Sequence, residues 1–171
     1  HVVAYDTAHP GDTVGLAAAL ARWPATRIAK LALLAKTEGN SDVNDYSREF
    51  GLLAARLAIA AHGGDDLLAR TTLLFSTGCE GAMTPFGYLF AEIDDDAAPS
   101  ALVMGRGVSR ALAEDEVGTL AHADLASEAV RGAMADAGVD AEEVGLAIVK
   151  TPVMAPGTSG GPRRRITSGF S

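Results

Sequence analysis

The sequence predicts an α+β protein built from repeated β-α-β units, of which its 171 residues hold about one and a half. Two observations predict this fold. Short apolar runs alternate with segments in which apolar residues recur at helical spacing. The same strand-helix-strand order also occurs twice, and each copy ends in Lys-Thr, at Lys36-Thr37 and at Lys150-Thr151.

The first unit is predicted to alternate strands with helices. The strongest predicted helix has apolar residues three and four apart and is stopped by Gly63-Gly64. The predicted strands cover residues 2–5, 28–35, 71–75 and 88–93, and the predicted helices cover 14–22 and 47–61.

The same order begins again after an acidic linker at residues 94–99. A strand at 101–104, a helix at 120–137 and a strand at 146–149 are predicted there. We therefore divide the chain into a first repeat unit at 1–97 and the N-terminal half of a second, incomplete unit at 98–171. On this interpretation, further sequence or a complementary chain completes the second unit.

Charge and composition exclude several classes of partner. The net charge of -8 repels phosphate backbones, which argues against nucleic acid. No apolar run reaches the ~20 residues of a membrane helix. The single cysteine, Cys79, fits a reducing cytoplasm. The four histidines lack metal-ligand spacing, so we expect no metal site.

Lys36 and Ser76 are the candidate catalytic residues. Lys36 ends an apolar strand, where partial desolvation favours the neutral amine that can act as a general base. Ser76 follows another apolar strand and begins a glycine-rich turn whose backbone N–H groups can bind an oxyanion. If the two strands are neighbours, the side chains can touch as a serine-lysine pair. The alternative is a solvated strand-end lysine and an ordinary turn serine.

Arg48 is a candidate substrate-binding residue. It falls in the first turn of the long predicted helix, where the helix dipole disfavours a cation. Its presence there suggests a bound anion or carbonyl oxygen. The alternative is a surface arginine paired with Glu49.

Several segments together resemble the ring-opening amidohydrolases, the family of cyanuric acid hydrolase and barbiturase. The resemblance extends nearly end to end. The segments that carry it are the sequences HPGDT at 9–13, KTEGN at 36–40, VNDYSRE at 43–49, STGCEG at 76–81, EVG at 116–118, AMADAG at 133–138 and VKTP at 149–152.

The resemblance implies three similar α+β units with mixed sheets around a pseudo-threefold axis. Each unit contributes a serine-lysine pair and an arginine to a shared pocket for a small cyclic amide, in a homo- or hetero-oligomeric enzyme without metal or organic cofactor. Carried over to this chain, the catalytic residues are Lys36, Ser76 and Lys150, and the substrate-binding residues are Arg48, Thr77 and Gly78.

Two departures from the family pattern bear on the substrate. Thr77 stands where the family usually has the first of two glycines, and Met83-Thr84-Pro85-Phe86 replaces a serine-proline-histidine run. Both changes favour a larger or less polar ring than cyanuric acid. They also leave open a relative that forms cyclic amides. A non-catalytic small-molecule-binding subunit and an amidase acting on linear substrates are two further alternatives.

Overall fold

A computed structural model describes residues 1–39, 44–78, 83–94 and 102–152. The chain divides into two compact units, His1–Ala101 and Leu102–Ser171. The boundary expected from the sequence, between 97 and 98, lies outside the described residues.

The described part of the first unit is a four-stranded sheet with two helices. The second and third strands along the chain are parallel and are joined by the second helix, which is the expected crossover for parallel neighbours. The elements are β1 (Val2–Asp6), α1 (Val14–Leu20), β2 (Ile28–Lys36), α2 (Ser47–Ala69), β3 (Thr71–Ser76) and β4 (Phe86–Ile93).

The strand order β1-β4-β2-β3 places β4 between β1 and β2, antiparallel to both. The sheet is therefore mixed, and the predicted α+β class is confirmed. Each strand of the first unit falls where the apolar runs predicted it, within two residues at either end.

One face of the sheet carries the core. Side chains alternate between the two faces of a strand, and Val3, Leu31, Leu33 and Leu89 are buried on the same side. They pack with buried residues of α1 and α2, including Leu16 and Ile59, in one apolar cluster. The opposite face carries Lys36 and Ser76, at the C-terminal ends of β2 and β3.

The N-terminal part of helix α2 packs on the sheet through small residues, ahead of the buried Ile59 and Leu67. Gly51 and Ala55 are buried, whereas Phe50, Leu53 and Leu57 are 54%, 54% and 63% exposed. A Cβ at Gly51 would lie 3.0 Å from the Thr37 methyl carbon. The close approach explains why a glycine serves here better than a large apolar side chain.

The predicted end of α2 corresponds to a break. Gly63 and Gly64 have non-helical backbone angles, and Gly64 has a φ of 72°. A short helical segment continues beyond them to Ala69. The glycines therefore interrupt the helix at the predicted position without ending the helical stretch.

The described part of the second unit is organised around α3 (Leu120–Ala137). The helix ends at Gly138, which has a left-handed φ of 68° as a C-terminal cap. An extended segment lies directly on the helix, because a Cβ at Gly105 or Gly107 would overlap the carbonyl oxygen of Ala133 or Ala129.

The two strands predicted in the second unit are wrong. Residues 102–104 and 146–149 belong to no strand, and Leu102, Leu146 and Ile148 are exposed; residue 101 lies outside the described residues. The topology of the first unit gives a reason. There β1 and β2 bond to β4 and not to each other, and the described residues of the second unit contain no counterpart of β4. Within the described residues, no helix combines the length and apolarity required to cross a membrane.

Candidate active site

Lys36 and Ser76 meet at one end of the sheet. They are the last residues of the parallel neighbours β2 and β3 and stand directly opposite each other in register. Residues in register on adjacent strands project to the same face. The Lys36 Nζ accordingly lies 3.2 Å from the Ser76 Oγ, within hydrogen-bond distance.

The Lys36 amine has a second contact, because Nζ donates a hydrogen bond to the Thr77 carbonyl oxygen. The Lys36 side chain is half-buried. A neutral amine in this position has a lone pair that can accept the serine proton. The geometry is therefore that of a base beside a hydroxyl nucleophile, one of the arrangements by which serine is activated.

Phe86 lies on the other side of Lys36. It is the first residue of β4 and stands opposite Lys36 in the register of β2 and β4. Its ring makes an edge-to-face contact with Tyr88, with centroids 5.4 Å apart. Lys36 thus lies between a hydroxyl on β3 and aromatic side chains on β4.

A recess of about 20 Å³ opens at this end of the sheet and is lined in part by Tyr5, Asp12, Lys36 and Phe86. It has room for about one water molecule. A six-membered ring is several times larger. The described residues alone therefore do not enclose a pocket for a cyclic amide.

Two titratable groups of the recess are held in defined protonation states. Burial, assisted by the negative charge of Asp12, raises the pKa of Tyr5 and keeps its phenol neutral. The Asp12 carboxylate accepts hydrogen bonds from the backbone N–H groups of Ala8 and Val14, at 2.9 and 3.0 Å. These bonds lower the pKa of Asp12, which stays ionised.

The turn after Ser76 is described as far as Gly78. Thr77 and Gly78 are half-buried beside the pair, and Gly78 has a φ of 91°, a left-handed conformation that favours glycine. Cys79 and the three residues that follow lie outside the described residues.

Arg48 makes no hydrogen bond to the pair within the described contacts. The Arg48 guanidinium bonds to Glu49, with Nε 3.0 Å from the carboxylate, and its side chain is 48% exposed. This hydrogen bond lowers the pKa of Glu49. The contact is the ion pair that the sequence left open as the alternative. Lys150 belongs to the second unit and is exposed, outside any strand.

The sequence analysis missed the contribution of Thr37 and Ser47. Thr37 is buried, at 4% exposure, and its Oγ1 lies 3.2 Å from the Ser47 Oγ at the start of α2. The repeated Lys-Thr dipeptide was the available signal. It identified the lysine but gave the threonine no role.

Comparison with known proteins gives a consistent result. A family model described as an amidohydrolase ring-opening protein matches residues 1–166. A cyclic amide hydrolase of Azorhizobium caulinodans is 34% identical over 163 residues, which are 91% of this chain and 44% of that protein. A cyanuric acid amidohydrolase of the same organism is 36% identical over 151 residues, covering 86% of this chain and 42% of that protein.

Solved structures agree with the sequence matches. The crystal structure of the cyanuric acid hydrolase from A. caulinodans superposes with a TM-score of 0.69 at 35% identity, covering 82% of this chain and 39% of that one. A second cyanuric acid hydrolase structure gives a TM-score of 0.66 at 29% identity, covering 82% of this chain and 40% of that one. The chain spans less than half the length of these relatives.

Proposed function

Because this chain belongs to the family of ring-opening amidohydrolases, we propose that it takes part in the hydrolytic opening of a small cyclic amide or imide, with Ser76 as nucleophile and Lys36 as its base. The observation that carries the proposal is the 3.2 Å contact between Lys36 Nζ and Ser76 Oγ. The relatives named as cyclic amide and cyanuric acid hydrolases supply the reaction class.

The proposed reaction proceeds in two steps. Ser76 Oγ attacks a ring carbonyl carbon while its proton passes to the neutral Lys36 amine. The ring C–N bond then breaks, and the nitrogen leaves with the proton that Lys36 returns. A water molecule, deprotonated by Lys36, attacks the resulting ester, and Lys36 returns the proton to the departing Ser76 oxygen. Ser76 is thereby freed, and the carboxylic acid formed at the former amide carbon loses its proton to solvent.

Stabilisation of the oxyanion falls to the turn after the nucleophile. Backbone N–H groups at Thr77 and Gly78 follow Ser76 directly, and preorganised amide donors of this kind stabilise the tetrahedral intermediate. We propose that these residues bind the carbonyl oxygen of the ring. Arg48 would bind a second carbonyl oxygen after exchanging its contact with Glu49 for the substrate.

The proposed ring is larger or less polar than cyanuric acid. Phe86, opposite Lys36, and Tyr88, in edge-to-face contact with it, present aromatic surface at the site. Such surface favours apolar ring substituents over additional carbonyl or N–H groups. A panel of cyclic imides, barbiturates and cyanuric acid would test this, with the highest kcat/KM expected for substrates carrying an apolar substituent.

We also propose that further polypeptide, in the same chain or in a complementary one, completes the site. The relatives are more than twice as long as the matched region. In the second unit, the counterparts of β1 and β2 require a strand between them, antiparallel to both, as β4 is in the first unit. That added part would also give Lys150 a serine partner. Ring opening by the 171-residue chain as a monomer, measured with light scattering, would contradict this part of the proposal.

Alanine substitutions at the pair test the proposal as a whole. In the complete assembly, Lys36→Ala and Ser76→Ala should each lower kcat by about 10³-fold or more. Lys30→Ala is the matched control, because Lys30 lies on the same strand and opposite Glu92 in register. It should leave kcat unchanged. Turnover that survives both site substitutions would locate the chemistry elsewhere, and ligand binding without turnover in the unsubstituted protein would indicate a binding subunit.

A further inference from the structure

We infer that Thr37 is a positioning residue for the Lys36–Ser76 pair, a role that rests on the proposed function. The side chain does not touch the amine or the hydroxyl of the pair in the described contacts. It acts on the backbone that carries Ser76. The inference depends on where its hydroxyl and its backbone N–H donate.

Thr37 holds the Ser76 carbonyl oxygen from two directions. The Thr37 backbone N–H donates to it at 2.8 Å. The Thr37 hydroxyl donates to the same oxygen at 3.3 Å. Two donors on one carbonyl oxygen restrict the rotation of the peptide plane between Ser76 and Thr77. The two residues that this plane joins also provide both contacts of the Lys36 amine, which are the Ser76 Oγ and the Thr77 carbonyl oxygen.

The Thr37 hydroxyl also joins this end of the sheet to α2. Its oxygen lies 3.2 Å from the Ser47 hydroxyl, and Ser47 also donates to the Glu38 carbonyl oxygen. Each hydroxyl has one proton to donate. Ser47 therefore donates either to the Glu38 carbonyl oxygen or, while Thr37 donates to Ser76, to the Thr37 oxygen. The first residue of α2 thus belongs to the hydroxyl network that holds the Ser76 carbonyl.

Packing fixes the hydroxyl in this position. Thr37 is 4% exposed, and its methyl carbon lies close to Gly51 of α2. A β-branched side chain enclosed in this way has little rotational freedom. Water cannot easily replace the hydroxyl once it is removed, so a valine at this position would leave the Ser76 carbonyl with only the backbone donor.

The second Lys-Thr dipeptide gives independent support. Thr151 follows Lys150 as Thr37 follows Lys36. If the threonine positions the serine that faces the lysine, then threonine should follow the lysine in every unit that contributes a serine-lysine site. A lysine alone would suffice if only the base mattered.

The test measures the reactivity of Ser76 itself. Phenylmethanesulfonyl fluoride sulfonylates an activated serine: the Ser76 oxygen bonds to sulfur, fluoride leaves, and the serine proton passes to Lys36. The rate is followed by intact mass, and the modified residue is identified in peptides of the full chain. The reagent reports nucleophilicity without requiring the natural ring.

Thr37→Val should slow the sulfonylation of Ser76 by about 10-fold, as expected when a reacting group is misplaced by a fraction of an ångström. Thr37→Ser, which keeps the hydroxyl, should restore the rate to within about 3-fold of the unsubstituted protein. In the complete enzyme, kcat should fall while KM stays constant. A threonine that only stabilised the fold would not lower kcat at constant KM when it is replaced. Nor would its replacement by serine restore the sulfonylation rate selectively.

Thr71→Val is the matched control. Thr71 is the other buried polar residue of the described chain, at 6% exposure, and its hydroxyl donates to the Leu67 carbonyl oxygen at 2.8 Å. It lies at the opposite end of β3 from Ser76, about 16 Å away at ~3.3 Å per residue. This substitution removes the same group from a buried site and should leave the sulfonylation rate unchanged.

The outcomes separate the two proposals. Sulfonylation that depends on Lys36 but proceeds at the full rate in Thr37→Val would overturn the role of Thr37 alone. Equal slowing in Thr37→Val and Thr71→Val would also overturn it, because general destabilisation would then explain both. Absence of Lys36-dependent sulfonylation at Ser76 in the unsubstituted chain would overturn the proposed nucleophile, and the positioning role with it.

Discussion

The two units of this chain share a sequence pattern but differ in what the pattern forms. In the first, the run that ends at Lys36 is the strand β2, bonded to β3 on one side and β4 on the other. In the second, the run that ends at Lys150 belongs to no strand. An apolar run acquires its structure from its neighbours, and in the first unit both flanking strands are present.

Hydrogen exchange should show the largest difference between the units. Amides of 31–35 bond within a central strand and should open only with the whole unit, whereas amides of 146–149 lack a ladder. We expect at least about 10³-fold greater protection in 31–35. Exchange measured by mass spectrometry on the 171-residue chain checks this. Similar protection in both segments would mean that the second unit already has its sheet. Addition of the completing polypeptide should raise protection only in 146–149.

Truncation of a core side chain should be costly in one unit and nearly neutral in the other. Leu33 is fully buried in β2, so Leu33→Ala should reduce the free energy of unfolding by about 2–5 kcal/mol. Ile148, at 49% exposure, is an apolar side chain of the second run, and Ile148→Ala should cost less than about 0.5 kcal/mol. Urea unfolding followed by circular dichroism compares them, and equal losses would contradict the account.

The helix of the second unit provides its own comparison. Gly107→Ala would push a methyl group into the backbone of α3 and should destabilise this unit by about 1–3 kcal/mol. Gly132→Ala, on the facing side of the same contact, meets only the Gly107 Cα at 3.6 Å and should stabilise the helix by up to about 1 kcal/mol. Thermal unfolding at 222 nm measures both. A stabilising Gly107→Ala would show that the extended segment does not lie on the helix.

The smallest expected effect concerns an ion pair in each unit. Arg110, with help from the Ala113 backbone N–H, lowers the pKa of Glu116 to about 2, below the usual value of about 4.3. Because the folded value is the lower one, this contribution to stability is present above pH ~4.3 and is lost as the pH falls toward 2. Arg110→Ala should raise the pKa of Glu116 toward its usual value, measured by carboxyl NMR titration. Arg131→Ala, the control, should leave the pKa of Glu116 unchanged. An ordinary pKa for Glu116 in the unsubstituted chain would contradict the ion pair. In the first unit, Arg48→Ala should likewise raise the pKa of Glu49.

The sequence predicted the first unit well because each of its signals is local. Apolar runs bounded by turns located β1 to β4, and the Gly63-Gly64 pair located the break in α2. The proximity of Lys36 and Ser76 followed from one assumption, that β2 and β3 are parallel neighbours, and the pairing confirms that assumption. Their catalytic roles stay predictions.

Other features depend on packing that local patterns do not encode. The apolar spacing of α2 predicted a helix but not its buried face, which Gly51 and Ala55 determine by permitting close approach. The second unit carries a similar apolar pattern, yet its described residues form neither of the two expected strands. The proposed role of Thr37 involves a contact with Ser47, ten residues away in the sequence, which residue types alone do not reveal.

A trapped acyl-enzyme would test the central claim most directly. A cyclic imide is mixed with the complete assembly, the reaction is quenched in acid within one turnover, and peptides are analysed by mass spectrometry. The account predicts that the Ser76 peptide gains the full mass of the ring, and that the adduct is absent in Lys36→Ala. An adduct on a different residue, or ring opening with no adduct on Ser76, would contradict it.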